Sequence, residues 1–359
     1  MKLPRAKIIN TERYIAGLST LKNKSNPIKL SANECALGPS PKAVKEYNKI
    51  SKSFKRYPPD GEFLRKVLAK KFKLEASRII LGSGSDQILE LICKAFLSKN
   101  DEVIVPEYSF VVYRIYSKLN GAKVIYAKEN NLTISINNIL SKVTKKTKIV
   151  FLANPNNPTG TYISKKDLKL LRKKLRSNIL LVVDDAYFEY IKRKDYNSGL
   201  DLFSKSKNVV VVRTFSKIYG LAGLRVGWGY ASKQIIKDLN IIKPPFNVNR
   251  PALYAAAASL LDSLWLKKEI KYINKWRKIM FKKFMNMKIE TNEGNTNFLL
   301  VNFNRVKISS VRVFNKLAQA GIIVRKMETY SIKNSLRITI GKTNENKKLF
   351  LKLEKIINV

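Results

Sequence analysis

Short apolar runs rich in β-branched residues alternate with longer segments of helical spacing through the first two-thirds of the chain. "RIIL" (78–81), "DEVIV" (101–105), "KIVFLA" (148–153), "ILLVV" (179–183) and "NVVVV" (208–212) read as strands. Between some of them, Ile88, Leu91, Ile92 and Ala95, and later Leu168, Leu171 and Leu175, recur at the spacing of a helix that buries one face. Strands that are apolar throughout and separated by helices predict a parallel sheet covered on both sides. Near residue 250 the pattern changes. A long helical tract, "PALYAAAASLLDSLWLKKEIKYINKWRKIMFKKF", begins near Pro251, and short strands follow in "NFLLVNF", "GIIVRKM" and "LRITIG". The expected fold class is α/β, a large domain with a mostly parallel sheet flanked by helices, plus a smaller α+β domain.

Each of the five expected strands runs into a polar motif: "GSGSD", "PEYSF", "NPNNPTG", "DDAY" and "RTFSK". In parallel sheets of this kind ligands bind beyond the carboxyl ends of the strands. Five motifs at five such ends therefore predict one shared crevice.

Composition narrows the chemistry. The chain has 359 residues, about two domains' worth, and its 45% apolar content is enough for a full core. It has no histidine and only two cysteines, Cys35 and Cys93. That excludes a Ser-His-Asp triad and leaves almost nothing for a transition-metal site, so no metal is expected. Cys93, within the apolar pattern "LELICKAFL", reads as a buried free thiol. The N-terminus lacks the apolar stretch of a signal peptide, and no apolar run approaches a membrane span. A soluble, cytoplasmic protein without a membrane partner is expected. The formal net charge of +44 raises nucleic-acid binding as an alternative. The lysines are dispersed over polar helix faces, as in "KKDLKLLRKKLR", which points to solvation rather than a specific nucleic-acid site.

Taken singly, most of the motifs are ambiguous. In "GSGSDQ", Ser85 and Asp86 stand where a helix begins; the site could cradle a phosphate or be an ordinary cap by Asp86. A dinucleotide-binding reading, and with it a dehydrogenase, lacks its last glycine, because Gln87 stands there. Asn157 lies in a turn-forming cluster, Asp184 is a carboxylate at a strand end, and Tyr108 is an aromatic at the crevice edge. Lys217 is the exception among many lysines. It sits beside Thr214 and Ser216, with Arg225 eight positions on. An ammonium placed among other cations or away from water becomes a nucleophile at lower pH. A phosphate cradle, such an amine, a carboxylate and an aromatic ring together describe a site for pyridoxal 5′-phosphate.

These segments, from "KLSANECALGPSPKAV" through "RYPPDG", "GSGSD", "NPNNPTG", "DDAYFEY", "RTFSKIYGLAGLRVGW" and "PFNVN" to "GIIVRK" and "LRITIG", resemble the fold-type I pyridoxal-phosphate aminotransferases. Within that superfamily the chain is similar to the histidinol-phosphate aminotransferases. The resemblance implies a large domain over residues 33–255 and a small domain built from residues 1–32 and 256–359. It implies that Lys217 carries the cofactor covalently and shuttles the substrate proton, and that Asp184 keeps the pyridine nitrogen protonated. Asn157 and Tyr187 would bond the phenolic oxygen, and Tyr108 would stack on the ring. Ser85, Asp86 (through its backbone N–H), Thr214, Ser216 and Arg225 would surround the phosphate, joined by Tyr57 from the second subunit of a homodimer. Arg337 and Arg325 would bind the substrate's anionic group, with Tyr14 and Asn33 lining the substrate side.

The implied reaction passes the amino group of L-histidinol phosphate to 2-oxoglutarate, giving imidazole acetol phosphate and L-glutamate, a step of histidine biosynthesis. Aromatic-amino-acid transamination and a phosphothreonine decarboxylase-like activity are the nearest alternatives. Two positions depart from the commoner pattern. Cys35 replaces a polar residue near the expected substrate entrance, and Asp185 stands where glutamate is commoner.

Overall fold

Seven strands form the central sheet of the computed structural model, in the order Ile79–Gly82, Gly227–Tyr230, Val209–Thr214, Leu180–Asp184, Thr147–Ala153, Glu102–Pro106 and Lys123–Ala127. The structure describes residues 11–22, 24–50, 52, 53 and 55–357; residues 1–10, 23, 51, 54, 358 and 359 of the two expected domains lie outside the described residues. Neighbouring strands are parallel except at Gly227–Tyr230, which is antiparallel to both of its neighbours. The five strands expected from the sequence therefore all run one way and end at one edge. Their alternate residues enter two separate cores. Leu81, Ile104, Val150, Val183 and Val211 pack on one face, and Ile80, Val103, Ile149, Val182 and Val210 on the other. Burial of both faces explains why these runs are apolar at every position.

Two strands of this sheet were not expected. Lys123–Ala127 is an edge strand with mixed exposure, so it shows no continuous apolar run. Gly227–Tyr230 reads "GWGY", with two glycines against a strand pattern. The glycine at 227 has a packing reason: a Cβ there would lie 2.4 Å from the Ser85 amide nitrogen. Only glycine lets this strand pass so close to the turn after Ile79–Gly82.

The second sheet has four antiparallel strands, in the order Glu290–Thr291, Phe298–Asn302, Ser335–Thr339 and Arg325–Lys326. Ile28–Lys29 pairs in parallel with Ile322–Ile323, which ties the N-terminal segment to the C-terminal part of the chain. The long tract after Pro251 is two helices rather than one, Arg250–Leu260 and Ser263–Asn286. Asn249 caps the first, accepting the Ala252 N–H at 2.9 Å with Pro251 in the opening turn. Asp262 starts the second by accepting the Trp265 N–H. The second helix buries Ile273, Trp276, Met280 and Phe284 and leaves Lys267, Lys271, Lys275, Lys278 and Lys282 exposed. On this helix the positive charge is the solvated side of an amphipathic element. Among the described residues, no helix is long and apolar enough to cross a membrane.

Candidate active site

A cavity of about 290 Å³ opens at the carboxyl edge of the seven-stranded sheet, and residues of both sheets and of the N-terminal segment line it. Ser85, Asp86, Phe110, Tyr113, Asn157, Asp184, Tyr187, Thr214, Ser216, Lys217 and Arg225 come from the large-sheet side. Tyr14, Asn33, Arg325, Tyr330 and Arg337 close it from the other. Every one of the five strand-end motifs contributes.

One end of the cavity is built for an anion. The helix Ser85–Phe96 begins there, and Gly84 precedes it with φ 77° and no side-chain cap. Asp86 is therefore not the cap, and the first-turn N–H groups of the helix keep their donors and their positive dipole end. A Cβ on Gly84 would stand 2.3 Å from Nη2 of Arg225, so glycine is what admits the guanidinium. Arg225 itself has φ 52°, a left-handed conformation that aims it back across the turn. It donates to Ser216 Oγ at 3.2 Å and pairs with the Asp86 carboxylate at 3.2 Å. Thr214 Oγ1 accepts the Ser216 N–H at 3.0 Å, which holds the two hydroxyl residues together.

The opposite chemistry lies deeper. Asp184 ends its strand in register with Ala153, and its carboxylate is buried. Oδ2 accepts from the Tyr113 phenol at 2.7 Å and Oδ1 from the Ala186 N–H at 3.0 Å. Burial pushes its pKa up to about 6, against the lowering effect of those two donors. Lys217 is held with Nζ 3.4 Å from the Ala32 carbonyl. Burial, and then the nearby Arg337 guanidinium, push its ammonium down to about 8. A lysine in that range supplies a neutral amine far more readily than an exposed one.

Asn33 links the two sides. Its own backbone is left-handed, and it is fixed by Thr339 Oγ1 and by the Asn297 amide. It donates from Nδ2 to the Tyr187 hydroxyl at 3.0 Å, so the phenol hydrogen of Tyr187 remains for an acceptor in the cavity. Arg337 donates from Nη1 to Asn157 Oδ1 at 2.6 Å and from Nη2 to the Ser31 carbonyl at 2.9 Å. Its Nε is buried without a partner. A buried guanidinium with an unmet donor is a strong anion receptor. Arg325 also lines the cavity, but its Nη2 is committed to the Ile15 carbonyl at 2.6 Å.

Two residues, Tyr108 and Cys35, lie away from where the sequence put them. Tyr108 does not line the cavity. Its N–H is bonded to Glu129 and its carbonyl to Asn156, and its ring packs beside the cluster of Val111, Ile115 and Tyr330. Phe110, two residues on, turns into the cavity instead. Tyr57 also lies outside this chain's cavity, 77% exposed and stacked on Phe246 with ring centroids 4.5 Å apart. Asp185 faces away, accepting the Gly199 N–H and pairing with buried Arg213 at 3.5 Å. Cys35 is not at the entrance either; its thiol is directed to the Gly38 and Ile218 carbonyls. Tyr113 and Phe110 were missed because "SFVVYRIY" reads as an ordinary amphipathic helix start.

Residues 25–353 match the family model for aminotransferase class I and II. The chain belongs to the class I and II aminotransferases. It is similar over its whole length to the histidinol-phosphate aminotransferase of Pelagibacter ubique (strain HTCC1062), with 52% identity and both chains covered in full. The histidinol-phosphate aminotransferase of Paramagnetospirillum magneticum (strain ATCC 700264 / AMB-1) is 40% identical, covering 99% of this chain and 98% of that one. Among solved structures, the histidinol-phosphate aminotransferase of Sinorhizobium meliloti in complex with pyridoxal-5′-phosphate superposes with a TM-score of 0.87 at 23% identity, covering 92% of this chain and 91% of that one. An aspartate aminotransferase of Thermus thermophilus with maleate gives a TM-score of 0.82 at 18% identity, covering 92% of this chain and 91% of that one. At these identities the two structures share the fold.

Proposed function

We infer that this protein is a pyridoxal-phosphate-dependent transaminase that moves the amino group of L-histidinol phosphate to 2-oxoglutarate, in histidine biosynthesis. The observation that carries the reading is one cavity holding a depressed-pKa lysine, a buried carboxylate, an uncapped helix start and a buried arginine with an unmet donor. Full-length similarity to histidinol-phosphate aminotransferases supports the choice of donor.

The residues fit the cofactor. The helix start after Gly84, with uncapped amides and the Arg225 guanidinium held close against it, suits a phosphate. Ser85, Asp86 through its N–H, Thr214, Ser216 and Arg225 would hold it there. Asp184 would face the pyridine nitrogen, Asn157 and Tyr187 would donate to the phenolic oxygen, and Phe110 would cover the ring in the place expected for Tyr108. Pyridoxal phosphate supplies an aldehyde for covalent capture of the amine and a protonated ring that accepts electrons.

Lys217, its ammonium lowered to about 8, offers a larger fraction of neutral amine near neutral pH than an exposed lysine and would carry a proton at the substrate carbon. Asp184, once ionised, would stabilise a positive charge on the cofactor's ring nitrogen, and Tyr113 fixes the carboxylate's orientation. Arg337 accepts the phosphate of one substrate and a carboxylate of the other, because its planar fork binds either anion through paired hydrogen bonds. The site is proposed to work in a cytoplasmic homodimer. Tyr57 and Phe246, both exposed, would meet the second copy, where Tyr57 would reach the partner's phosphate.

A donor panel tests this reading. The loaded enzyme is given 2-oxoglutarate with histidinol phosphate, phenylalanine, tyrosine or phosphothreonine, and glutamate formation is followed, with carbon dioxide release followed for phosphothreonine. Histidinol phosphate should have the highest kcat/KM; a higher value for an aromatic amino acid would reassign the enzyme.

A further inference from the structure

Arg114 joins three parts of the chain that border the cavity, and no chemical role so far uses it. It lies on the helix Val112–Leu119, next to Tyr113. Its Nε and Nη2 grip the Glu12 carboxylate at 2.5 and 3.0 Å, and Nη2 also donates to the Thr329 carbonyl at 2.9 Å. The Arg114 side chain is only 14% exposed, so the bidentate pair is partly shielded from water.

Both partners lead directly to substrate-side residues. Glu12 stands in the segment 11–20, which forms neither helix nor strand and lays Tyr14, Ala16, Gly17 and Ser19 along the cavity. Thr329 precedes Tyr330, which also lines it. The strap's other anchors are Arg325 on the Ile15 carbonyl and Ser31 Oγ on the Leu18 carbonyl at 2.8 Å. Arg325 and Ser31 sit with the second sheet and the N-terminal segment, whereas Arg114 reaches the strap from the large-sheet side. Tyr14 packs edge-on to Phe110 on that same side, with centroids 6.3 Å apart.

We propose that Arg114 is a positioning residue for the substrate half of the site. By holding Glu12 and Thr329 together it fixes the strap, and through the strap the Tyr14 ring, the Ile15 carbonyl and the Arg325 guanidinium that carbonyl engages. A ten-residue segment without secondary structure loses much conformational freedom when it is ordered. Without the latch that loss falls on substrate binding, so ligand must order the strap as it enters. The effect belongs to KM more than to kcat, because the bonds that Arg114 makes run to Glu12 and Thr329, while the link of its helix to Asp184 runs through Tyr113, which the substitutions leave in place. The choice of substrate rests on the transaminase reading above; the order of the strap does not.

Two readouts separate these. Kinetics are measured with histidinol phosphate and 2-oxoglutarate for wild type, Arg114→Gln, Arg114→Lys and Glu12→Gln, alongside the rate of tryptic cleavage after Arg13. Arg13 lies in the strap and is exposed, so its cleavage reports strap opening whatever the substrate. Arg114→Gln should raise KM for both substrates about tenfold, as misplacement of positioning groups does, with a smaller fall in kcat and faster cleavage at Arg13. Glu12→Gln, on an exposed side chain that cannot unfold the protein, should speed Arg13 cleavage as much and raise KM in the same direction. Arg114→Lys should recover part of both effects. Wild-type rates at Arg13 in Glu12→Gln and Arg114→Gln would overturn the proposal, as would equal losses in kcat and KM with no recovery by lysine. If wild type does not turn over histidinol phosphate, the substrate reading fails while the cleavage rates still decide the role of Arg114.

Discussion

The Tyr113 phenol donates to Oδ2 of Asp184 at 2.7 Å, and both groups are buried. The tyrosine ring is itself held by stacking on Phe151, with centroids 5.1 Å apart and planes within 7°. The bond favours the ionised carboxylate at a place where burial disfavours it.

Tyr113→Phe should therefore raise the Asp184 pKa. A hydrogen bond to a charged group is worth about 1.5–3 kcal/mol, or about one to two pH units. The acid limb of the kcat/KM profile should move up by about one unit, with turnover falling most below neutrality. A bound pyridinium lowers the limb in wild type and variant alike, so the difference between them remains. An unmoved limb would remove Tyr113 from the account.

Lys217 has the reverse linkage. Its pKa is depressed to about 8 in the folded chain against an ordinary 10.5, so the folded state binds fewer protons between those values. The buried ammonium weakens folding fully below about pH 8, and the penalty is lost as pH rises through 8 towards 10.5. In cofactor-free protein, Lys217→Met should raise the melting temperature at neutral pH, and the gain should shrink above pH 8. Thermal denaturation at several pH values checks this; a gain that does not change with pH would mean the ammonium carries no burial penalty.

Arg337→Lys should impair both half-reactions, because a point charge replaces a guanidinium that already spans Asn157 and Ser31. A loss of roughly tenfold or more in kcat/KM is expected with each substrate, as for truncated charge-assisted bonds. Loss confined to glutamate and 2-oxoglutarate would move phosphate recognition to Arg325.

The frame of the fold was legible because burial on both sides of the central sheet leaves continuous apolar runs. Lys123–Ala127 escaped notice for the opposite reason, lying at the edge with polar and exposed positions. Gly227–Tyr230 escaped because close packing against the Ser85 turn demands glycine where a strand pattern asks for β-branched residues. In the site, Lys217, Asp184 and Arg225 were visible as strand-end chemistry in sequence order. Phe110 and Tyr113 were not, since which side of a turn an aromatic takes depends on bonds such as Tyr108 N–H to Glu129. The Arg114–Glu12 contact spans 102 positions and has no local signal.

Tyr57 tests the shared-site homodimer. It lies outside its own cavity, so its proposed phosphate contact must be in the partner. Mixing Tyr57→Phe chains with Lys217→Ala chains under subunit exchange should give activity above the sum of the two parents, because one site of each mixed dimer then carries neither change. Demonstrated exchange without regained activity would assign Tyr57 to its own subunit or to no site.

The most direct measurement is the absorbance of the loaded enzyme during a single half-reaction. Histidinol phosphate added without any oxo acid should bleach the long-wavelength band of lysine-bound pyridoxal phosphate, 2-oxoglutarate should restore it, and borohydride reduction of the resting enzyme should fix the cofactor on the peptide containing Lys217. A band that histidinol phosphate leaves unchanged, or a label on another lysine, would contradict the account.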